Sequence, residues 1–220
     1  MARGAAGPGA GAHLRIALAA AAATLLSIAV VDRPLAIALA PTADLARRLT
    51  TPLMTALEWA TLLPLTKFAL GLVLLATGLL VARRPATRDA GRFLGIVGGI
   101  HMTARLIAGV LKVPFGRARP YEVLASGDRD HQWEHQWFGD GGSFPSGHAV
   151  HFWALLFPIA WRWPRTRIPL LVATLFVSLS RIVVNDHYLG DVLASIAIAA
   201  FMTAGFLDWW ERRIDPRNAS

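Results

Sequence analysis

The charged residues are clumped, and the long uncharged gaps between the clumps constrain the fold more than any other feature. No Asp, Glu, Lys or Arg occurs between Arg15 and Asp32, between Lys67 and Arg83, or between Asp191 and Asp208. Apolar runs of this kind are long enough to cross a bilayer as helices, where every backbone polar group must be satisfied within the segment. With 55% hydrophobic and 16% charged residues in 220, the composition is that of a polytopic membrane protein rather than a soluble globule. The formal net charge is +8, yet the basic residues form no stripe or basic helix of the kind that binds nucleic acid. They lie at the ends of apolar runs, where they set membrane topology. The absence of cysteine excludes a disulfide framework, a thiolate metal site and a thiol nucleophile.

Taken in order, the chain predicts an all-α bundle of six transmembrane helices over 14–31, 62–82, 93–111, 146–161, 168–184 and 192–207. These form one membrane domain over 14–210, between a disordered tail at 1–13 and a C-terminal tail at 211–220. The first span ends at Asp32-Arg33-Pro34. A cleaved signal peptide ending near Ala38-Leu39-Ala40 is the alternative, and the length of the run and an even span count favour an uncleaved helix. Residues 41–61, with Arg47, Arg48 and Glu58, read as an amphipathic interfacial segment. Lys67 can snorkel from the second span. In the third span, Gly95, Gly98 and Gly99 allow close approach of a neighbouring helix, and His101 and Arg105 should face the bundle interior. Residues 112–145 form a long polar loop whose Trp133, Trp137 and Phe138 favour an ordered lid or flap. Trp209, Trp210, Arg212 and Arg213 read as an interfacial anchor.

Orientation follows from the basic loops. Arg83, Arg84, Arg88 and Arg92 follow the second span, Arg162, Arg165 and Arg167 the fourth, and Arg212, Arg213 and Arg217 the sixth. Alternating spans put all three on one side, which the positive-inside rule makes the cytoplasm. Both termini are then cytoplasmic, and loop 112–145 and turn 181–190 share the opposite face.

That face carries the chemistry. Lys112 and Arg119 flank a turn containing Pro114 and Gly116, and Arg181 supplies a third cation; an arginine fork and a lysine point charge both suit phosphate oxygens. Pro145-Ser146-Gly147-His148 opens the fourth span. Ser146 there is a helix cap, and the same geometry aims backbone N–H groups at an anion, with Gly147 allowing close approach and His148 positioned to protonate a leaving oxygen. His151 reads as packing or as support for the site. His187 and Asp191 are four residues apart and share a face if the sixth helix begins there, so the carboxylate can fix the imidazole tautomer. Asp186 cannot share that face and reads as a surface or capping residue. Metal ligation by His148, His187 and Asp191 is the rival reading, weakened by three nearby cations.

Lys112 with six residues before Arg119-Pro120, then Pro145-Ser146-Gly147-His148, then Ser180-Arg181 with five residues before His187 and three before Asp191, resembles the type 2 phosphatidic acid phosphatase superfamily, in its integral-membrane lipid phosphatase branch. The resemblance implies a phosphatase without metal or cofactor. His187 would be the nucleophile that forms a phosphohistidine, Asp191 its orienting partner, and His148 the acid and then the base. Lys112, Arg119, Ser146, Gly147 and Arg181 would bind the phosphate. The substrate would be a lipid phosphate or diphosphate: an isoprenyl diphosphate such as undecaprenyl diphosphate, phosphatidic acid, phosphatidylglycerol phosphate or a lipid A phosphate. The expected setting is the inner (plasma) membrane, with the site on the periplasmic face and no nucleic-acid or obligate protein partner. His101 and Arg105 would support the third helix or contact a second phosphate. A transporter or lipid-binding protein that only recognises phosphate is the alternative from another class; the histidine backed by a carboxylate argues against it.

Overall fold

The computed structural model describes residues 9–127 and 129–214. The tail predicted at 1–13 therefore lies outside the described residues up to residue 8, as does the C-terminal tail from 215. The described elements are all helical. An N-terminal helical run comprises α1 (Ala10–Leu26), α2 (Asp32–Leu39) and α3 (Ala43–Ala60), joined by a π-helical turn at Ser27–Val31 and a 3₁₀ turn at Ala40–Thr42. Then come α4 (Ala69–Val81), α5 (Arg88–Phe115), two short helices α6 (Pro120–Ala125) and α7 (Arg129–Glu134), α8 (Gly147–Arg162), α9 (Arg167–Val183) and α10 (Leu189–Ile214).

Helix α8 is the hub, packed on α5, α9 and α10, while α1 lies along α10 and α4 along α5. It is apolar on every side, as a central helix must be, with Ala149, Val150, Phe152, Trp153, Ala154, Leu155 and Leu156 all buried. The α4–α5 contact depends on glycine. A Cβ on Gly78 would meet the backbone N of Gly95 at 2.4 Å, and one on Gly98 would meet the carbonyl of Gly71 at 2.7 Å. Small residues on both helices bring the backbones together where lipid provides no hydrophobic drive.

Four helical stretches are long and apolar enough to cross a bilayer: Ala10–Ala60, Pro85–Ala125, Pro164–Val183 and Leu189–Trp210. Helix α4 has 13 residues and α8 has 16, or about 20 and 24 Å at 1.5 Å per residue, against a hydrocarbon core of about 30 Å. Two of the six predicted spans are therefore shorter than a full crossing. Many apolar side chains face outward, among them Leu18, Leu25, Leu72, Leu79, Val172 and Phe201, as lipid-facing surfaces do.

Three local expectations change. Helix α1 begins at Ala10, and His13 is buried beside Phe157 at a ring-centroid distance of 5.5 Å, so the helix takes in the end of the expected tail. Asp32 does not end the first span at a membrane surface: the helical run continues and the carboxylate is buried. Helix α5 runs through Pro114 to Phe115, so Lys112 lies in its last turn and not at the start of a loop. Gly116 ends it with φ +43°, where its N–H meets the Lys112 carbonyl at 2.9 Å and a Cβ would strike the Gly139 carbonyl. This is the left-handed glycine cap that stops many helices.

Segment 41–61 forms helix α3 and is amphipathic as expected, with its polar face inward. Leu45, Leu49 and Leu53 are exposed, Met54 packs with Phe152 and Val177, and Arg47 and Glu58 reach the protein. Helix α3 packs on α9. Burying a side chain such as Met54 contributes about 1.5–3 kcal/mol and fixes which face turns inward.

Candidate active site

A cavity of about 400 Å³ opens where the end of α3, the C-terminal part of α5, the start of α8 and the α9–α10 turn converge. It is lined by Lys112, Arg119, Gly147, His148, Arg181 and His187, with Arg105 and Glu58 beside them and Leu63 and Pro64 at its edge. Six of the eight residues singled out from sequence thus share one space; Ser146 and Asp191 lie behind it.

The cations are held by different means. Lys112 donates to the Gly142 carbonyl. Arg181 pairs with Asp186 at 2.6 Å. Arg119 donates its backbone N–H to the Glu122 carboxylate at 2.7 Å, starting α6; its guanidinium has no hydrogen-bond or ion-pair partner among the described residues and remains available to a ligand. Arg105 is a fourth cation in the cavity and donates to the Gly147 carbonyl and to the Lys67 carbonyl. It therefore supports the start of α8 and faces the cavity at once. His101 is elsewhere, its Nε2 2.8 Å from His151 Nδ1 inside the bundle, so both residues read as interior support.

Ser146 is fully buried and caps α8, its Oγ accepting from the Ala149 N–H at 3.5 Å. Its backbone N–H reaches the Asp191 carbonyl at 3.2 Å, and its own carbonyl accepts from Ser195. Helices α8 and α10 are locked together at their starts, which brings Gly147 and His148 beside His187.

His187 precedes α10 and sits in the turn before it. The turn is closed by Asn185 at φ +57°, a left-handed conformation that Asn tolerates, and by N–H groups of Asp186 and His187 that both bond the Arg181 carbonyl at 3.1 Å. The ring Nδ1 lies 3.5 Å from Asp191 Oδ2, a contact longer than a full hydrogen bond; Nε2 consequently points away from Asp191. Burial lowers the pKa of His187 to about 4, with Lys112 and Arg181 acting in the same direction and Asp191 opposing. The ring is neutral at ordinary pH, the state in which an imidazole keeps a lone pair.

Asp191 is held from several sides. Its Oδ1 accepts from Arg117 Nη1 at 2.7 Å, and its Oδ2 from Ser143 Oγ at 2.5 Å and the Tyr188 N–H at 3.0 Å. Arg117 is fully buried and spans two carboxylates, with its Nη2 2.8 Å from Asp32 Oδ2. Its guanidinium lies 4.3 Å from the Trp137 ring centroid and 3.8 Å from that of Tyr188. Asp32 also accepts from Ser27 Oγ at 2.7 Å and the Gly190 N–H at 2.9 Å. The first helical run is thereby tied to the start of the last helix through a residue of loop 112–145. Trp137 and Ser143 tie that loop to Arg117 and Asp191 behind the cavity.

Asp186 is corrected from a surface or capping residue to a buried one. Burial works against its ionisation, but Arg181 and Arg47 outweigh that and hold its pKa below the usual value. Arg47 Nη2 lies 3.0 Å from Asp186 Oδ1 and also bonds the Val184 carbonyl at 3.0 Å. Asp186 is therefore the counter-ion that fixes Arg181.

Sequence reasoning passed over Arg117, Asp32, Ser143 and Glu58. Arg117 stands inside the basic block, two residues before Arg119, and Asp32 was the one acid in a long apolar run. An ionisable residue at that depth usually has a buried partner, and that was the available signal. Glu58 Oε1 lies 2.9 Å from His148 Nε2. Among the described residues no three His, Cys, Asp or Glu side chains gather closely enough to hold a metal ion; the acids pair instead with cations or with one histidine each.

Residues 93–215 match the PAP2 superfamily, a segment holding every cavity residue except Glu58, Leu63 and Pro64. Lipid A 1-phosphatases of Rhizobium johnstonii and Rhizobium etli are each 30% identical over 106 residues, 44% of this chain and 40% and 42% of the respective relatives. The chain thus spans less than half the length of these curated relatives. No solved structure gives a significant match. On a match that takes in more than half of its length and the cationic cavity, the chain belongs to the PAP2 superfamily.

Proposed function

We propose that the protein is a membrane lipid phosphatase working through a phosphohistidine. The observation that carries this reading is a single cavity in which Lys112, Arg119 and Arg181 surround His187 and His148. His187 Nε2 attacks phosphorus and forms the P–N bond while the P–O bond to the lipid breaks, and His148 gives its proton to the leaving oxygen. His148 then takes a proton from water, the water oxygen attacks phosphorus, and the P–N bond breaks to release inorganic phosphate and regenerate His187. Lys112, Arg119 and Arg181, with the backbone N–H groups at Gly147 and His148, stabilise charge on the equatorial oxygens, where preorganised donors are worth most. Asp191 aims His187, and Ser146 acts through the cap that sets the start of α8. No step calls for a metal or cofactor.

The substrate class is a lipid phosphate whose tail stays in the bilayer. The names of the two Rhizobium relatives make a lipid A phosphate the first to test, with isoprenyl diphosphates such as undecaprenyl diphosphate and with phosphatidic acid and phosphatidylglycerol phosphate beside it. The basic loops favour a six-span arrangement with cytoplasmic termini and the cavity at the periplasmic face of the inner membrane, α4 and α8 being completed by their flanking residues.

The test is phosphate release from that panel in detergent, with His187→Ala as the blank. Release that vanadate inhibits and EDTA does not is the expected result. Absence of release from every lipid phosphate would leave a phosphate-binding membrane protein.

A further inference from the structure

A carboxylate is out of place in a cavity built for phosphate. Four cations line this one, Arg105, Lys112, Arg119 and Arg181, and Glu58 stands among them. A carboxylate there repels the substrate's own oxygens, so its presence requires another use. Its Oε1 is 2.9 Å from His148 Nε2, with both side chains about a quarter exposed to the cavity. Helix α3 holds Glu58 there by the burial of Met54 one turn earlier and by the Arg47–Asp186 pair further back. The residue lies outside the segment that matches the family.

The geometry fixes a tautomer. With Nε2 facing a carboxylate, the neutral ring carries its proton on Nε2 and its lone pair on Nδ1. The two nitrogens of an imidazole diverge, so only Nδ1 is left for the leaving oxygen and then for water. The other charged groups around His148 are Arg181 from α9 and Arg105 from α5, with Lys112, Arg119 and His187 lining the same cavity and His151 one turn along α8. The cations all repel an imidazolium. Glu58 is the anion that favours it.

We propose that Glu58 is a positioning residue for His148: it holds the ring with Nδ1 toward the substrate and sustains the imidazolium that protonates the lipid leaving group. This rests on His148 being the acid and base of the reaction above. Departure of a leaving group that needs no proton should then be almost indifferent to Glu58. Hydrolysis of the phosphohistidine uses the same Nδ1 as base, but it is common to all substrates and does not enter kcat/KM.

The test compares wild type, Glu58→Gln and Glu58→Asp on two substrates in detergent: a lipid phosphate monoester, whose alkoxide must be protonated, and p-nitrophenyl phosphate, whose phenolate leaves unaided. General acid catalysis contributes roughly 10²–10⁴-fold. Glu58→Gln is expected to lower kcat/KM on the lipid about 30-fold or more and on p-nitrophenyl phosphate less than about 3-fold, with Glu58→Asp recovering part of the loss. The basic limb of the lipid kcat/KM profile should move to lower pH, because His148⁺ loses its counter-ion. In a His148→Ala background Glu58→Gln should add nothing. Equal losses of kcat/KM on both substrates with an unmoved basic limb would mean that Glu58 only packs α3 against the bundle, as would losses that add to those of His148→Ala. Such results with an active wild type overturn the role of Glu58 alone; a wild type that releases no phosphate overturns the phosphatase reading and this inference with it.

Discussion

His187 and His148 each face a carboxylate, but the two pairs are built differently. Asp191 is fully buried and gripped by Arg117, Ser143 and the Tyr188 N–H, so the group behind His187 has almost no freedom. Glu58 is part exposed, and its hydrogen bond is to His148. The difference matches the two tasks. A nucleophile needs one direction of attack, which rigid surroundings provide. A group that donates a proton to a lipid oxygen and then takes one from water must face the solvent-accessible side and change charge twice per turnover. In the first pair, burial keeps the histidine neutral. In the second, Glu58 is the anion that opposes burial and the surrounding cations, as the proposed acid–base role requires.

The sharpest break in that comparison is His187→Ala, expected to reduce phosphate release by more than about a thousandfold because no other group can form the covalent intermediate. Arg117→Met comes next. It leaves Asp32 and Asp191 buried with no cation between them, a situation that typically costs about 3–5 kcal/mol; detergent-solubilised protein should melt at a clearly lower temperature and lose most activity. Adding Asp32→Asn should recover part of the melting temperature, and no recovery would mean that Arg117 acts mainly through its stacking on Trp137 and Tyr188. The pH profile comes third. The pKa of His187 is lowered to about 4, so its lone pair is free above that pH and lost below it, and the acid limb of kcat/KM should lie near 4. A limb near the ordinary histidine value of about 6.5 would contradict a buried neutral nucleophile. The smallest effect belongs to Arg47→Gln: Arg47 is half exposed and such pairs are worth about 0–1 kcal/mol. Asp186 would keep Arg181, and KM should rise only about twofold.

Much of the site was legible because its information is local. The Lys112–Arg119 block, the Ser146 cap and the four-residue step from His187 to Asp191 are short patterns whose chemistry follows from residue type, and the helical class follows from the uncharged runs. What escaped is pairing across the chain. Arg117 meets Asp32 over a separation of 85 residues and His148 meets Glu58 over 90, and no local pattern encodes such distances. Asp186 was misread for a related reason: its separation from the face of His187 was clear, whereas its two arginine partners were not. The length of α4 also departed from expectation, since it starts at Ala69 and not near residue 62, whereas α8 keeps its expected bounds to within a residue.

The clamp of Arg117 on Asp32 and Asp191 also bears on how the chain is made. Asp32 belongs to the first helical run and Asp191 to the last helix, so during N-to-C synthesis the two are inserted far apart in time. Until the last helix arrives, the pair of Arg117 with Asp32 has no second acid, and the Asp191 carboxylate beside His187 is absent. The surroundings of His187 are therefore complete only when the first and last helices meet. Under the proposed mechanism, a chain cut short before residue 191 would carry Lys112, Arg119 and Arg181 yet lack the carboxylate beside His187.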